Sequence, residues 1–283
     1  PNIISTEKNE RDFALSPTGK EIFYSLVLPK SNFSAIIYLY HDGAFWSQTQ
    51  VAPFSGEYSD LEPAYSPDGN SLFFISKRPL TTEDKTNDWN IWYVSKKGKG
   101  WGSPQPVDTL INTTGDEYYP SVAENGNLYF TANKKSGMGA EDIYFSKFEN
   151  GKYTKPINPG SGVNSETWEF NAFIAPDESY MLFSSFNRED GFGGGDLYIS
   201  FRENDTTWTK AKNLGPDINS DKLDYCPAIS PDGKYLFFTS QRTDPAINNH
   251  RKKSLAKIIN LANGIENGNG NIYWVAFNPD VYR

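Results

Sequence analysis

Apolar and polar positions along this chain form short strand-length runs, and the runs recur as a unit. Leu72 to Ile75 is apolar on both faces, as a strand covered on both sides must be. Before it stands Ser66-Pro67-Asp68-Gly69. Pro presets one φ, Asp bonds its own backbone and Gly takes positive φ without strain, so this reads as a tight turn between two strands. The unit returns at Ser16-Pro17-Thr18-Gly19 and Ser230-Pro231-Asp232-Gly233, and in degraded form at Ala123-Glu124-Asn125-Gly126 and Ala175-Pro176-Asp177-Glu178. Turn to turn the spacings are 50, 57, 52 and 55 residues. A regular period of this length marks a propeller or a solenoid.

Each repeat continues alike. A variable loop leads to a third strand with an aliphatic-aromatic pair: Ile37-Tyr38, Ile91-Trp92, Ile143-Tyr144, Leu197-Tyr198 and Ile272-Tyr273. A fourth strand is expected to begin at Trp46, Trp101, Tyr153 and Trp208. Four antiparallel strands per repeat make one propeller blade. The fold expected is therefore an all-β propeller of five blades, six being the alternative, in a single domain over 1–283. The fifth repeat stops soon after its third strand, so residues 1–6 are expected to complete that blade and close the ring, removing exposed edges. Between 241 and 270 the pattern changes. Leu255, Ile258, Ile259 and Ala262 fall at helical spacing with Gly264 beyond them, which predicts a helical insertion at about 245–264, packed on the rim or acting as a lid or docking element.

Glu or Asp, two residues and Pro, then Ser-Pro-Asp-Gly, an apolar strand and Asp/Asn-Ile-Tyr/Trp together resemble the TolB-like propeller repeat of bacterial cell-envelope proteins. The resemblance extends over essentially the whole chain. It implies a periplasmic, outer-envelope or secreted protein that binds partners instead of catalysing; the usual blade number in that family is six, where five are counted here.

Composition narrows the function classes. The 283 residues carry a formal net charge of −8, which gives no support for nucleic acid or an anionic membrane as partner. Aromatic content of 15% with two Met suits stacked sheets. A single cysteine, Cys226, excludes an intrachain disulfide, and two histidines, His41 and His250, exclude a three-histidine metal site. No apolar run approaches a membrane span. A monomer is expected, without a cofactor.

Aligned on the turns, one position is acidic in every repeat: Glu10, Asp60, Glu117, Glu169 and Asp224. These acids precede the innermost strands and should ring one mouth of the central channel. Ser5, Ser55, Asn112, Asn164 and Asn219 stand five residues earlier and suit turn-stabilising bonds. Arg78, Lys134, Arg188 and Arg242 follow the second strands and should return positive charge to the same mouth. Acid-base pairs fixing the blades are one reading; a cation or polar-ligand site is the other, with calcium the ion such carboxylates could hold.

Two residues past each ring acid the repeat breaks: Asp12, Glu62, Tyr119, Asn171 and Cys226 share the channel side by alternation, yet no two are alike. Trp168 and Trp89 are likewise unmatched. Such features need a reason beyond building blades, and exposed aromatics at a concave mouth could meet a sugar or a protein. The function expected is thus non-enzymatic binding of a protein or glycan at the acid-ringed mouth, flanked by loops 77–89, 133–141, 186–195 and 241–270. The rival is a glycoside hydrolase or lyase, with Asp12, Glu62 and the ring acids supplying two carboxyls of different pKa.

Overall fold

The computed structural model describes residues 4–30 and 33–283. In chain order its strands are β1 (Asn9–Leu15), β2 (Glu21–Val27), β3 (Ser34–Tyr40) and β4 (Gln50–Val51) in blade 1. Blade 2 holds β5 (Asp60–Tyr65), β6 (Ser71–Ser76), β7 (Asn90–Lys97), β8 (Gly100–Trp101) and β9 (Gln105–Pro106). Blade 3 holds β10 (Glu117–Val122), β11 (Leu128–Ala132), β12 (Asp142–Ser146) and the small hairpin β13 (Phe148–Glu149) and β14 (Lys152–Tyr153). Blade 4 holds β15 (Trp168–Ile174), β16 (Tyr180–Phe186), β17 (Asp196–Phe201) and β18 (Lys212–Asn213), and blade 5 holds β19 (Asp224–Ile229), β20 (Tyr235–Ser240) and β21 (Asn271–Ala276). The five antiparallel sheets form a five-bladed propeller.

The core is divided among the blade interfaces. Phe23 and Ile36 of blade 1 pack with Phe74 and Val94 of blade 2. Ile75 and Ile91 meet Leu128 and Phe130, Tyr129 and Phe145 meet Met181 and Phe183, and Leu182 and Ile199 meet Leu236 and Phe238. The fifth interface joins the chain ends: Phe13, Tyr24 and Leu39 of blade 1 pack against Phe237 and Ile272 of blade 5, with Ile4 beside them. Burying one apolar face of each sheet against the next is the main stabilising effect.

The tight turns form as their residues dictate. Gly69 N–H donates to the Ser66 carbonyl at 2.8 Å with φ at +71°, and Gly19, Gly126 and Gly233 repeat the geometry. In blade 4 Glu178 takes that left-handed place at φ +60°. Its carboxylate compensates by accepting from Asn127, Tyr129 and Arg202, tying blade 3 to blade 4.

Three expectations are refined. The aromatics Trp46, Trp101, Tyr153 and Trp208 close the hairpin after the third strand, and the outer pairing begins four residues later, at Gln50, Gln105, Ile157 and Lys212. Blade 5 has three strands among the described residues; Ser5 lies on β21 through its hydroxyl, and residues 1–3 of the expected closing strand lie outside the described residues. The insertion holds a short helix α1 (Pro245–Asn248) and α2 (Leu255–Ala262), N-capped by the Ser254 hydroxyl. No residue of α2 is buried, and Leu255, Ile258 and Ile259 are about half exposed or more. Among the described residues no helix is long and apolar enough to cross a membrane.

Side chains stitch each blade to the next. Asn112 accepts from Ile91 N–H at 2.8 Å and donates to Ile91 C=O at 2.9 Å; Asn164 does the same at Ile143 and Asn219 at Leu197. Ser5 makes both bonds to Ile272 with a single hydroxyl, at 3.0 and 3.1 Å, so the ring closes with the bond type used inside it. Replacing Asn164 by Ala strands a buried N–H and C=O on Ile143. Chemical denaturation of Asn164→Ala should show a loss of about 3 kcal/mol, since each unsatisfied buried group costs roughly 1–3 kcal/mol; a loss under about 0.5 kcal/mol would mean the stitch is dispensable.

Candidate functional site in the central channel

The ring acids are built into the blades. Glu10, Asp60, Glu117, Glu169 and Asp224 are exposed by 2% or less. Four of them accept from both the amide and the hydroxyl of the residue four positions earlier: Thr6, Thr113, Ser165 and Ser220. Asp60 has Gly56 at that place and takes the Ser55 hydroxyl instead, at 2.7 Å. Arg78 pairs with Asp60 at 2.9 Å, Arg188 with Glu169 at 2.8 Å, Arg242 with Asp224 at 3.3 Å and Lys134 with Glu117 at 3.9 Å. The three arginines also donate to the Phe54, Val163 and Ile218 carbonyls, clamping the connector that enters each blade. Of the two readings, acid-base pairs or a cation or polar-ligand site, the geometry is that of the pairs: these carboxylates are sealed under their own turns, and each cation serves its own blade and does not link neighbouring ones. Burial pushes Glu117 up to about 7 against the lowering pull of Thr113 and Lys134, and raises Glu10, Asp60 and Asp224 too.

The unmatched positions behave differently. Asp12, Glu62, Tyr119, Asn171 and Cys226 all adopt left-handed backbone, with φ between +47° and +62°. At each one the pairing of the innermost strand with its neighbour slips: the register breaks between Arg11 and Ala14, Leu61 and Ala64, Tyr118 and Ser121, Phe170 and Phe173, and Tyr225 and Ala228. Thus a bulge, and not plain alternation, aims these five side chains across the channel. Left-handed backbone costs an L-residue about 1–2 kcal/mol, and strain of this kind gathers where a site must hold a geometry.

There they interlock. Arg11 donates from Nε to Asp12 Oδ1 at 2.7 Å and from Nη2 to Glu62 Oε1 at 2.8 Å, so one guanidinium bridges two carboxylates from different blades. Cys226 Sγ lies 2.8 Å from Asp12 Oδ1, and burial pushes its thiol pKa up, so the thiol stays protonated and donates. Tyr119 N–H donates to Glu62 Oε2 at 2.6 Å, Asn171 Nδ2 reaches Glu62 Oε1 at 3.4 Å, and Tyr119 OH donates to the Pro227 carbonyl at 3.1 Å. This layer spans the channel. Desolvation raises the Glu62 pKa, with Asp12 adding to the rise and Arg11 opposing it.

Above the layer, on the side of the Ser-Pro-Asp-Gly turns, lies a cavity of about 310 Å³. Phe13, Ala64, Pro120, Phe173 and Pro227 contribute to its walls from all five blades, and Glu62 and Tyr119 reach it from the layer. Glu62 is the one charged side chain among its described lining residues. The expected face was the opposite mouth, with the long loops. Trp168 stands there 46% exposed in a T-shaped contact with Phe186, and Trp89 is half-buried between blades 2 and 3 with Lys77 over its ring; neither lines the cavity. Among the described residues no three His, Cys, Asp or Glu side chains gather as a metal would need. Arg11 was not singled out from sequence, although it carried a signal: Leu61, Tyr118, Phe170 and Tyr225 are its counterparts, and it breaks that apolar series.

Comparison with solved structures identifies the same architecture. TolB from Acinetobacter baumannii matches at a TM-score of 0.52 and 15% identity over 83% of this chain, which spans about half (52%) of that protein. A putative TolB from Agrobacterium tumefaciens matches at 0.53 and 14% identity, covering 96% of this chain and 91% of the other. An alpha-L-arabinofuranosidase from Lactobacillus brevis matches at 0.56 and 11% identity, covering 98% and 92%. Likeness at such identities shows the fold alone. No family model matches the chain, and no curated protein does.

Two outcomes follow from the electrostatics. Removing Arg11 leaves Asp12 and Glu62 buried without their cation, so Arg11→Met should lose on the order of 3 kcal/mol at pH 8 and less at pH 5, where protonation relieves the repulsion; equal losses at both pH values would refute the pairing. Unfolded, Glu117 titrates near 4.5; folded, near 7. Between those values the folded chain binds more protons than the unfolded one, so the Glu117 contribution to stability is full below pH 4.5 and lost by about pH 7. Melting temperature should therefore fall between pH 5 and 8 more steeply in the native protein than in Glu117→Gln.

Proposed function

We propose that this propeller is a non-enzymatic binding protein of the bacterial cell envelope or exterior, and that it takes its ligand in the central channel from the turn-lined side. The observation that carries this reading is the division of the two channel carboxylates. Glu62 reaches the cavity, whereas Asp12 is held beneath it by Arg11 and Cys226. Hydrolysis of a glycoside needs two carboxyls facing each other across the sugar, about 5–9 Å apart. Here one guanidinium joins the pair on the same side. A preformed concave space with few polar groups suits capture of a ligand better than turnover.

The second reading, a glycoside hydrolase, draws on one observation: Glu62 combines a raised pKa with a neighbouring carboxylate, as a general acid does. Aryl arabinofuranosides and related aryl glycosides, incubated with the native protein, Glu62→Gln and Asp12→Asn, separate the two. We expect no release above buffer from any of the three. Release by the native protein that falls at least a thousandfold in Glu62→Gln would replace the binding reading with the catalytic one.

A further inference from the structure

Resting on the binding reading above, we infer that the turn-side cavity takes an organic cation, a primary ammonium carried on an apolar body. Three observations converge on that class. First, the walls offer little to a polar ligand. Pro63, Pro120 and Pro227, together with Ala14, Ala64 and Ala228, bring apolar faces to the space. Of the hydroxyls at its edge, Ser66 donates to Asp68 and Ser230 to Asp232, while Ser121 accepts from the Ile174 amide. Tyr119 OH is spent on the Pro227 carbonyl. A sugar, which needs a partner for each hydroxyl it buries, finds almost none.

Second, once Glu62 is ionised, above its raised pKa, the floor has surplus negative charge. Arg11 supplies one positive charge to the two carboxylates Asp12 and Glu62. The other groups of the layer, Tyr119, Asn171 and Cys226, add no cation, and the thiol is held protonated. Glu62 is the member of this under-neutralised set that borders the cavity, so a ligand ammonium placed there would complete the balance that Arg11 begins. Third, the walls include the aromatic side chains Phe13, Tyr65, Phe173 and Tyr180, a lining suited to the apolar body of such a cation. A carboxylate or phosphate ligand would meet like charge.

Such an ammonium could belong to a free amine or to the amino terminus of a peptide, and the test separates them. Isothermal titration at pH 8 would compare benzylammonium with its neutral analogue benzyl alcohol. A second pair is a Phe-Ala-Ala tripeptide with a free and an acetylated amino terminus. We expect saturable binding of benzylammonium, at least tenfold tighter than of benzyl alcohol, lost at least tenfold in Glu62→Gln and abolished in Ala64→Phe, which adds bulk to the cavity wall and leaves every charged residue in place. Tighter binding of the free tripeptide than of benzylammonium would point to a peptide terminus, and the reverse to a free amine. Circular dichroism melts establish that each variant is folded. If Glu62→Gln does not fold, the comparison of cation with alcohol in the native protein still decides. Equal binding of the alcohol, blocked by Ala64→Phe, would overturn the cationic ligand and leave channel binding standing. Binding of neither probe, or binding that survives Ala64→Phe, would overturn both.

Discussion

The structure depends on bonds between a connector side chain and the backbone of the blade just left. A propeller blade is a small sheet, marginal alone, and its outer strand here is only two residues long in blades 1 and 4. Apolar packing draws blades together but fixes no angle, because it is non-directional. The two-point grip of Asn112, Asn164 and Asn219 on one residue of the preceding third strand is directional. It sets blades 3, 4 and 5 each relative to the last, Ser55 accepting from Ile36 N–H marks the same junction between blades 1 and 2, and Ser5 on Ile272 sets the first relative to the fifth.

The ring acids belong to the same device. Their carboxylates fold the connector back through the residue four positions earlier, and the arginines tie that connector to the second strand of the blade. Desolvation opposes keeping a carboxylate there, which is why burial raises Glu10, Asp60, Glu117 and Asp224. A charge placed in every repeat thus serves assembly, and its cost is met by hydrogen bonds local to each blade.

The layer across the channel is built where the repeat breaks. The bulge gives every blade one left-handed residue aimed inward, and the backbone demand is common to all five while the side chains differ. Asp12, Glu62, Tyr119, Asn171 and Cys226 could diverge because their shared task, crossing the channel, is performed by backbone geometry. The resulting layer divides the channel into a cavity with a single charged wall residue on one side and the loop-rich mouth on the other.

Much of this was legible in the chain. Turn residues recurring at 50 to 57 positions, with double-faced apolar strands after them, determined the propeller and the location of every innermost strand and favoured five blades over six, because those features follow from local backbone chemistry repeated five times. The repeat also exposed the ring acids and the five divergent residues as separate classes. It did not reveal that the acids are sealed, since burial depends on how tightly each connector closes over its blade. Nor did it reveal the left-handed bulges: the residues that occupy them, Glu, Tyr and Cys among them, have no preference for positive φ, and only cross-channel bonds and strand register hold them there. Arg11 and the cavity were decided at the same level, for a guanidinium bridges two carboxylates fifty residues apart only once the blades have brought them together.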